Sequence, residues 1–234
     1  MSLINLQNIN AYDLLESTDK NTVDLILTDP PYAIASDNDW RVRAKQAEGA
    51  FHVDGDFREW DKEIDLDRFI KESYRVLKQG GTFICWYDMW KLQDLKECME
   101  RNGFKQIRLI EWIKTNPMPV NSSVNYLRSV REIALLGVKG GKPTFNSKYD
   151  NGIYTYPIGG TDRIHPTQKP LKLFEDLVKK HSNEGDLVMD CFSGSGTTMI
   201  ACDNLNRDFI GSELSEEYYE KSMERWLCNP LASL

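Results

Sequence analysis

Val23-Asp24-Leu25-Ile26-Leu27-Thr28-Asp29-Pro30-Pro31-Tyr32 is the stretch that decides the fold. Its first half is a short apolar run, the pattern of a strand buried on both faces. Its second half ends that strand abruptly, because neither proline has an N–H to offer a neighbour. Outward from it, short apolar runs alternate with helical patterns. Strands are predicted at residues 3–9, 23–28, 82–86, 108–113, 133–138, 187–189 and 208–211. Helices are predicted at 13–17, 66–78, 90–102, 170–181, 197–206 and 216–227. This alternation predicts an α/β domain with a mostly parallel sheet and helices on both faces. In the helix at 66–78, Phe69, Ile70, Val76 and Leu77 share one side, and Gly80-Gly81 reads as its stop.

A chain of 234 residues suits one domain with a sizeable core. Hydrophobic residues make up 41% and charged residues 28%, the balance of a water-soluble protein. No run approaches the roughly 18 apolar residues of a membrane span, and the first residues lack the pattern of a signal peptide. The five cysteines are odd in number and have no Cys-x-x-Cys spacing, which predicts reduced thiols in a cytoplasmic setting. A net charge of −7 speaks mildly against a phosphate-gripping protein, although one basic face is enough for that task. Two stretches lack periodicity, 35–63 and 115–165, and long irregular segments in a small domain are functional or plain surface connections.

Asp29-Pro30-Pro31-Tyr32 lies where a parallel sheet places its ligands, at the carboxyl end of a strand. Asp29 precedes a proline and is held extended. The two prolines leave carbonyl acceptors and few donors, and Tyr32 adds an aromatic face. An exocyclic aromatic amine is a poor nucleophile because its lone pair is delocalised into the ring. Two acceptors, the Asp29 carboxylate and the Pro30 carbonyl, would hold its hydrogens and favour a pyramidal nitrogen. Asp29 would also stabilise the positive charge developing there, and Tyr32 would stack on a base withdrawn from a duplex. A bare Pro-Pro turn reads as structure, whereas these four residues after an apolar strand read as a site.

The second constellation is Asp190-Cys191-Phe192-Ser193-Gly194-Ser195-Gly196-Thr197-Thr198, a strand end, a glycine turn and a helix start. Gly194 and Gly196 permit a tight turn and close approach of a ligand, and the helix beginning at Thr197 offers free N–H groups to an anion. Glu213 follows 19 residues after Gly194, where an acidic residue meets ribose hydroxyls. The third glycine of the dinucleotide fingerprint is replaced by Met199, which counts against NAD, and there is no P-loop pattern. The anion is better read as a carboxylate, such as the methionine end of S-adenosylmethionine. Taken alone, the glycines also fit a plain strand–helix turn.

With these motifs in view, the chain resembles the DNA N6-adenine/N4-cytosine amino-methyltransferases. It is most similar to their permuted β arrangement, in which Asp-Pro-Pro-Tyr precedes the Phe-x-Gly-x-Gly loop. A third element of that family, His165-Pro166-Thr167-Gln168-Lys169-Pro170, stands before the cofactor strand. The resemblance implies a Rossmann-like S-adenosylmethionine-dependent methyltransferase fold with circularly permuted motif order, a single domain over 1–234. It assigns Asp29, Pro30, Pro31 and Tyr32 to catalysis. It assigns Asn10, Asp29, Thr167, Lys169, Asp190, Phe192, Gly194, Ser195, Gly196, Thr197, Thr198 and Glu213 to the cofactor. Residues 77–81 read as a structural turn, and Trp112, in the segment 111–117 that ends on the base-pocket side, reads as core.

The segment 116–162 stands in the place of a target-recognition insert. Lys139, Lys142, Lys148, Asn121, Asn125 and Asn146 on it have the chemistry to read bases and phosphates. Arg41, Arg43 and Lys45, in the catalytic-side loop 35–63, read equally as a solvated face and as a grip on the DNA backbone. The recognition segment is small, so either the target site is short or a second subunit helps, and dimeric family members point towards a homodimer. The resemblance implies double-stranded DNA as substrate and a restriction-modification setting, and a short, acidic chain fits a bacterial or phage-infected cytoplasm.

No Pro-Cys occurs, so the chemistry of cytosine-C5 enzymes, with a covalent enzyme intermediate, is not expected. His52, His165 and His181 show no metal-ligand spacing, and His165 reads as a local structural contact. Asp rather than Ser at position 29 favours adenine N6 over the alternative, cytosine N4, and RNA-acting members often carry Asn there. An inactive DNA-binding subunit is the reading from another class. It would be expected to show a broken motif, and here the motifs are intact.

Overall fold

The computed structural model describes residues 2–31, 64–117, 127–159, 163–165 and 167–229. In chain order its elements are β1 (Ile4–Gln7), α1 (Ala11–Ser17), β2 (Val23–Thr28), α2 (Leu66–Val76), β3 (Leu77–Tyr87), a 3-10 turn (Met89–Lys91), α3 (Leu92–Arg101), β4 (Lys105–Lys114), β5 (Arg131–Val138), β6 (Ile153–Tyr156), α4 (Leu171–His181), β7 (Leu187–Asp190), α5 (Thr197–Asn204), β8 (Asp208–Ser212) and α6 (Glu216–Leu227). The eight strands form one sheet in the order β1-β8-β7-β2-β3-β5-β4-β6. Every neighbouring pair is parallel except those made by β5, which runs against both β3 and β4.

The apolar run of β2 is explained by cover on both faces. Leu25 and Leu27 point to one side and pack with Trp86, Phe174, Leu177, Met199 and Phe209, beneath α4, α5 and α6. Ile26 points to the other and packs with Leu14, Leu15, Phe69, Ile70 and Met99 of α1, α2 and α3. All three β2 residues are wholly inaccessible, and each such side chain contributes about 1.5–3 kcal/mol through burial.

From β2 the chain proceeds through α2 to β3 on one side, and from β7 through α5 to β8 on the other. The carboxyl ends of β2 and β7 therefore part from each other, and this divergence opens the crevice where ligands sit in such sheets.

Three expectations change. Gly80-Gly81 is not the helix stop. Leu77 leaves α2 in an extended conformation and starts β3 directly. Gly80 lies inside that strand, where an added Cβ would come within 2.6 Å of the Lys142 carbonyl. The helix expected from residue 90 begins with a 3-10 turn capped by Asp88, whose side chain accepts from the Trp90 N–H at 2.9 Å. The segment 116–162 supplies β5, which the strand predicted at 133–138 anticipates, and also β6, which no predicted strand covers. β5 sits between β3 and β4, so this part of the segment is scaffold.

Candidate active site

A cavity of about 420 Å³ opens at the carboxyl ends of β2 and β7. Asn10, Asp29, Pro30, Pro31, Thr167, Lys169, Asp190, Phe192, Gly194, Ser195, Thr197, Thr198 and Glu213 all line it. Gly196 stands behind the lining as the left-handed cap of α5, with φ +70. Tyr32, Arg41, Arg43, Lys45, Asn121 and Asn125 lie outside the described residues, as does the loop 35–63.

The turn after β7 is built around Asp190. Its carboxylate accepts from the Thr28 hydroxyl at 2.8 Å, the Thr198 hydroxyl at 2.5 Å and the Phe192 N–H at 3.1 Å. Burial pushes its pKa up to about 6 against the pull of these donors. With both oxygens engaged inside the turn, Asp190 ties β7 to β2 and to α5. Gly194 has φ +51, and an added Cβ would meet nothing within 4 Å, so this backbone faces open cavity.

The Gly194 N–H donates to Glu213 at 2.8 Å, and the other carboxylate oxygen of Glu213 accepts from the Ser215 N–H at 2.9 Å. Burial raises the Glu213 carboxyl above its usual range although these donors pull it down. Beside them, the Ser193 hydroxyl is buried without a hydrogen-bond partner among the described residues and lines the cavity. No side chain caps the start of α5, so its first N–H groups point outward as an anion site. Arg225 of α6 braces this turn from behind, donating to the Ser195 carbonyl at 2.7 Å and the Thr197 hydroxyl at 3.1 Å.

The turn after β2 meets the segment before α4 through charge. The Lys169 ammonium pairs with the Asp29 carboxylate and with Glu132 at 3.1 Å. Glu132 in turn pairs with Lys114 at 2.7 Å. Lys169 lies 5.7 Å from the centre of the Trp86 ring, and Lys114 lies 5.3 Å from that of Trp112. Burial would raise the Glu132 carboxyl, but the two lysines outweigh it and hold it below the usual range. Nearby, His165 faces the Thr167 hydroxyl at 3.0 Å and meets the Tyr218 ring edge-on at 4.3 Å. Burial, with the Lys169 charge, pulls its pKa down to about 4, so it is neutral at pH 7. Trp112 is core, 2% exposed, with its indole N–H on the Tyr156 carbonyl at 2.9 Å.

Sequence reasoning gave no role to Glu132, Lys114, Ser193 and Arg225, although Ser193 lies inside the quoted glycine turn and Lys114 inside the segment 111–117. Glu132 left a trace too, as one of two charged residues at the head of an otherwise apolar strand. Two expected DNA contacts, Lys139 and Asn146, are corrected, and a third, Lys142, is located. Lys139 is buried at the opposite edge of the sheet, donating to Asn21 Oδ1 at 2.8 Å and the Arg75 carbonyl at 3.1 Å, with the Tyr74 ring 4.9 Å away. Its ammonium has no face to offer a phosphate. Lys142 is exposed but lies against Gly80 at that same far edge. Asn146 donates to the Lys179 and Ser182 carbonyls at 3.1 and 2.9 Å, which satisfies the end of α4 rather than a base. Among the described residues no group of His, Cys, Asp and Glu could hold a metal ion, and no helix is long and apolar enough to cross a membrane.

The family model "DNA methylase", for N6 and N4 enzymes, matches residues 23–158 and 145–224. The Type II methyltransferase M2.MboI of Moraxella bovis is 30% identical over 95% of this chain and 87% of its own length. M2.DpnII of Streptococcus pneumoniae is 28% identical over 94% of this chain and 88% of its own. Among solved structures, the M1.HpyAVI–SAM complex superposes with a TM-score of 0.73 at 28% identity, covering 95% of this chain and 98% of that one. The cytosine-N4-specific PvuII DNA methyltransferase gives 0.72 at 18% identity over 98% and 89%, a likeness of fold. The Asp29-Pro30-Pro31 turn, the glycine turn, the permuted order that brings them together at one crevice and the family match across most of the chain agree: this chain is a member of the N6/N4 DNA methylase family.

Proposed function

We propose that this DNA methyltransferase, which uses S-adenosylmethionine, acts on the exocyclic N6 of adenine in duplex DNA, by direct transfer to a base turned out of the helix. The reading is supported above all by one observation: the Asp29 carboxylate stands at the end of β2 on the wall of the cavity formed by the glycine turn.

The residues present suit the donor. The unpartnered Ser193 hydroxyl and the open N–H groups of α5 fit its carboxylate, the carboxylate of Glu213 fits hydroxyls or an ammonium, and Phe192 fits an apolar ring. When bound, the donor supplies an electrophilic methyl group on a sulfonium. The protein supplies the rest. The Asp29 carboxylate and the Pro30 carbonyl accept the two amine hydrogens, which turns the nitrogen lone pair outward. Asp29 stabilises the charge that develops on nitrogen and receives the proton it releases at a carboxylate oxygen. Aspartate rather than serine at this position favours adenine over cytosine. Tyr32 stacking on the base, Arg41, Arg43 and Lys45 on the backbone, a homodimer and a cytoplasmic location belong to the same proposal.

The test is nucleoside mass spectrometry of unmethylated duplex DNA after incubation with the protein and S-adenosylmethionine. N6-methyladenine is the expected product. N4-methylcytosine would keep the mechanism and overturn the choice of base, and the absence of both would overturn the activity.

A further inference from the structure

Glu132 does not line the donor cavity, and the transfer described above gives it no task. Yet it is the centre of a row of four alternating charges, Asp29, Lys169, Glu132 and Lys114, with one of its oxygens on each lysine. The Lys169 side chain is only 4% exposed, so water does little to screen its charge. A buried lysine tied to the catalytic carboxylate alone would work against the reaction, because it would occupy the acceptor and repel the positive charge developing on the target nitrogen.

We infer that Glu132 is a positioning residue for methyl transfer: it holds the Lys169 ammonium between two carboxylates, so that Asp29 remains available to the target amine. Lys114 keeps Glu132 anionic and fixed from its far side. The whole row is neutral, so the arriving amine meets a carboxylate whose counter-charge is already shared. The other titratable groups near Asp29 are Asp190 at the end of β7 and the buried Cys85 of β3, both electrostatically coupled to it. Cys85 and His165 are coupled to Lys169 as well. Among the described residues the ion pairs of Lys169 are those with Asp29 and Glu132, and Glu132 takes a share of the charge that Asp29 faces.

This inference rests on the methyltransferase reading, and its test has one arm that needs no transfer. The Asp29 carboxyl is titrated by 13C NMR in protein labelled at aspartate and assigned by the signal lost in Asp29→Asn. In Glu132→Gln the Lys169 ammonium loses its second carboxylate, and the midpoint of Asp29 should move to lower pH. The second arm measures turnover against pH and donor affinity by calorimetry. In Glu132→Gln, kcat should fall at least tenfold and its acidic limb should move to lower pH, with the Kd for S-adenosylmethionine within twofold of the parent. Glu132→Asp, with the carboxylate drawn back by one methylene, should shift both in the same direction by less, and it carries the test if Glu132→Gln fails to fold. An Asp29 titration identical to the parent's, or a kcat loss matched by the loss of donor affinity, would overturn the inference. A parent protein that transfers no methyl group would overturn the methyltransferase reading instead.

Discussion

Lys169 and Lys139 are buried to nearly the same degree, 5% and 6% exposed, at opposite edges of one sheet. Lys169, at the carboxyl edge, faces two carboxylates and a cavity. Lys139, at the other edge, faces an amide oxygen, a backbone carbonyl and an aromatic ring. Burial pulls the Lys139 ammonium below its usual pKa, helped by the nearby Arg75 charge, and no anion offsets this. The pair teaches that burial of a charge does not mark function. What its partners are, and whether they border open space, separates a group set up for chemistry from one that fastens a turn.

The contrast can be broken most severely at Asp29. Asp29→Ala should cost on the order of 10³-fold in transfer while calorimetry finds donor binding retained. Loss of binding along with transfer would mean that its carboxylate serves the donor instead. Gly194→Leu should do the opposite, forcing a side chain into the cavity from a left-handed backbone at roughly 1–2 kcal/mol of strain. Donor Kd should weaken on the order of a hundredfold, and an unchanged affinity would remove the glycine turn from the site. At the other edge, Lys139→Met should leave Asn21 Oδ1 without its donor and lower stability by about 1–3 kcal/mol. DNA affinity should not change, and a measured loss there would return Lys139 to the DNA-contacting set.

The smallest expected effect is in acid. His165 near the cavity and His181 at the far end of α4 both have pKa values pulled down by burial to about 4, from 6.5. For such groups stability is fully present above pH 6.5 and drains as pH falls toward 4, because the unfolded chain binds the proton first. Asp190, raised to about 6, acts in the opposite sense, its share of stability falling as pH rises from about 4 to 6. His181→Gln should isolate one histidine, flattening the acid loss by about 2 kcal/mol at pH 5 in denaturant unfolding. An unchanged slope would mean that the ring is not held neutral.

Much of the site was legible because local sequence carries it. β2 runs over the six residues its apolar pattern marks, and two prolines without N–H groups end a strand whatever surrounds them. The glycine turn and Glu213 are recognisable for the same reason, since a tight strand–helix turn restricts which residues fit. What escaped notice depends on partners distant in sequence. β6 has one fully buried residue, Tyr154, among four, so no apolar run announces it, and pairing with β4 makes it a strand. Lys139 reads as a surface cation until Asn21 and Arg75 are brought to it across 118 and 64 residues. The Lys169–Asp29 pair spans 140 residues, and no spacing rule connects them. The helix stop at Gly80 failed because its glycine serves a close backbone approach to Lys142, not a cap.

The most direct test of the account places its two edges in one assay. N6-methyladenine formed per folded molecule is measured by mass spectrometry for the parent, Asp29→Ala and Lys139→Met at one temperature, below the melting of all three. The parent and Lys139→Met should form it at the same rate, and Asp29→Ala should form it on the order of 10³-fold more slowly. Transfer near the parent's rate in Asp29→Ala, or transfer lost in a folded Lys139→Met, would contradict the claim that chemistry resides at the carboxyl edge and fastening at the other.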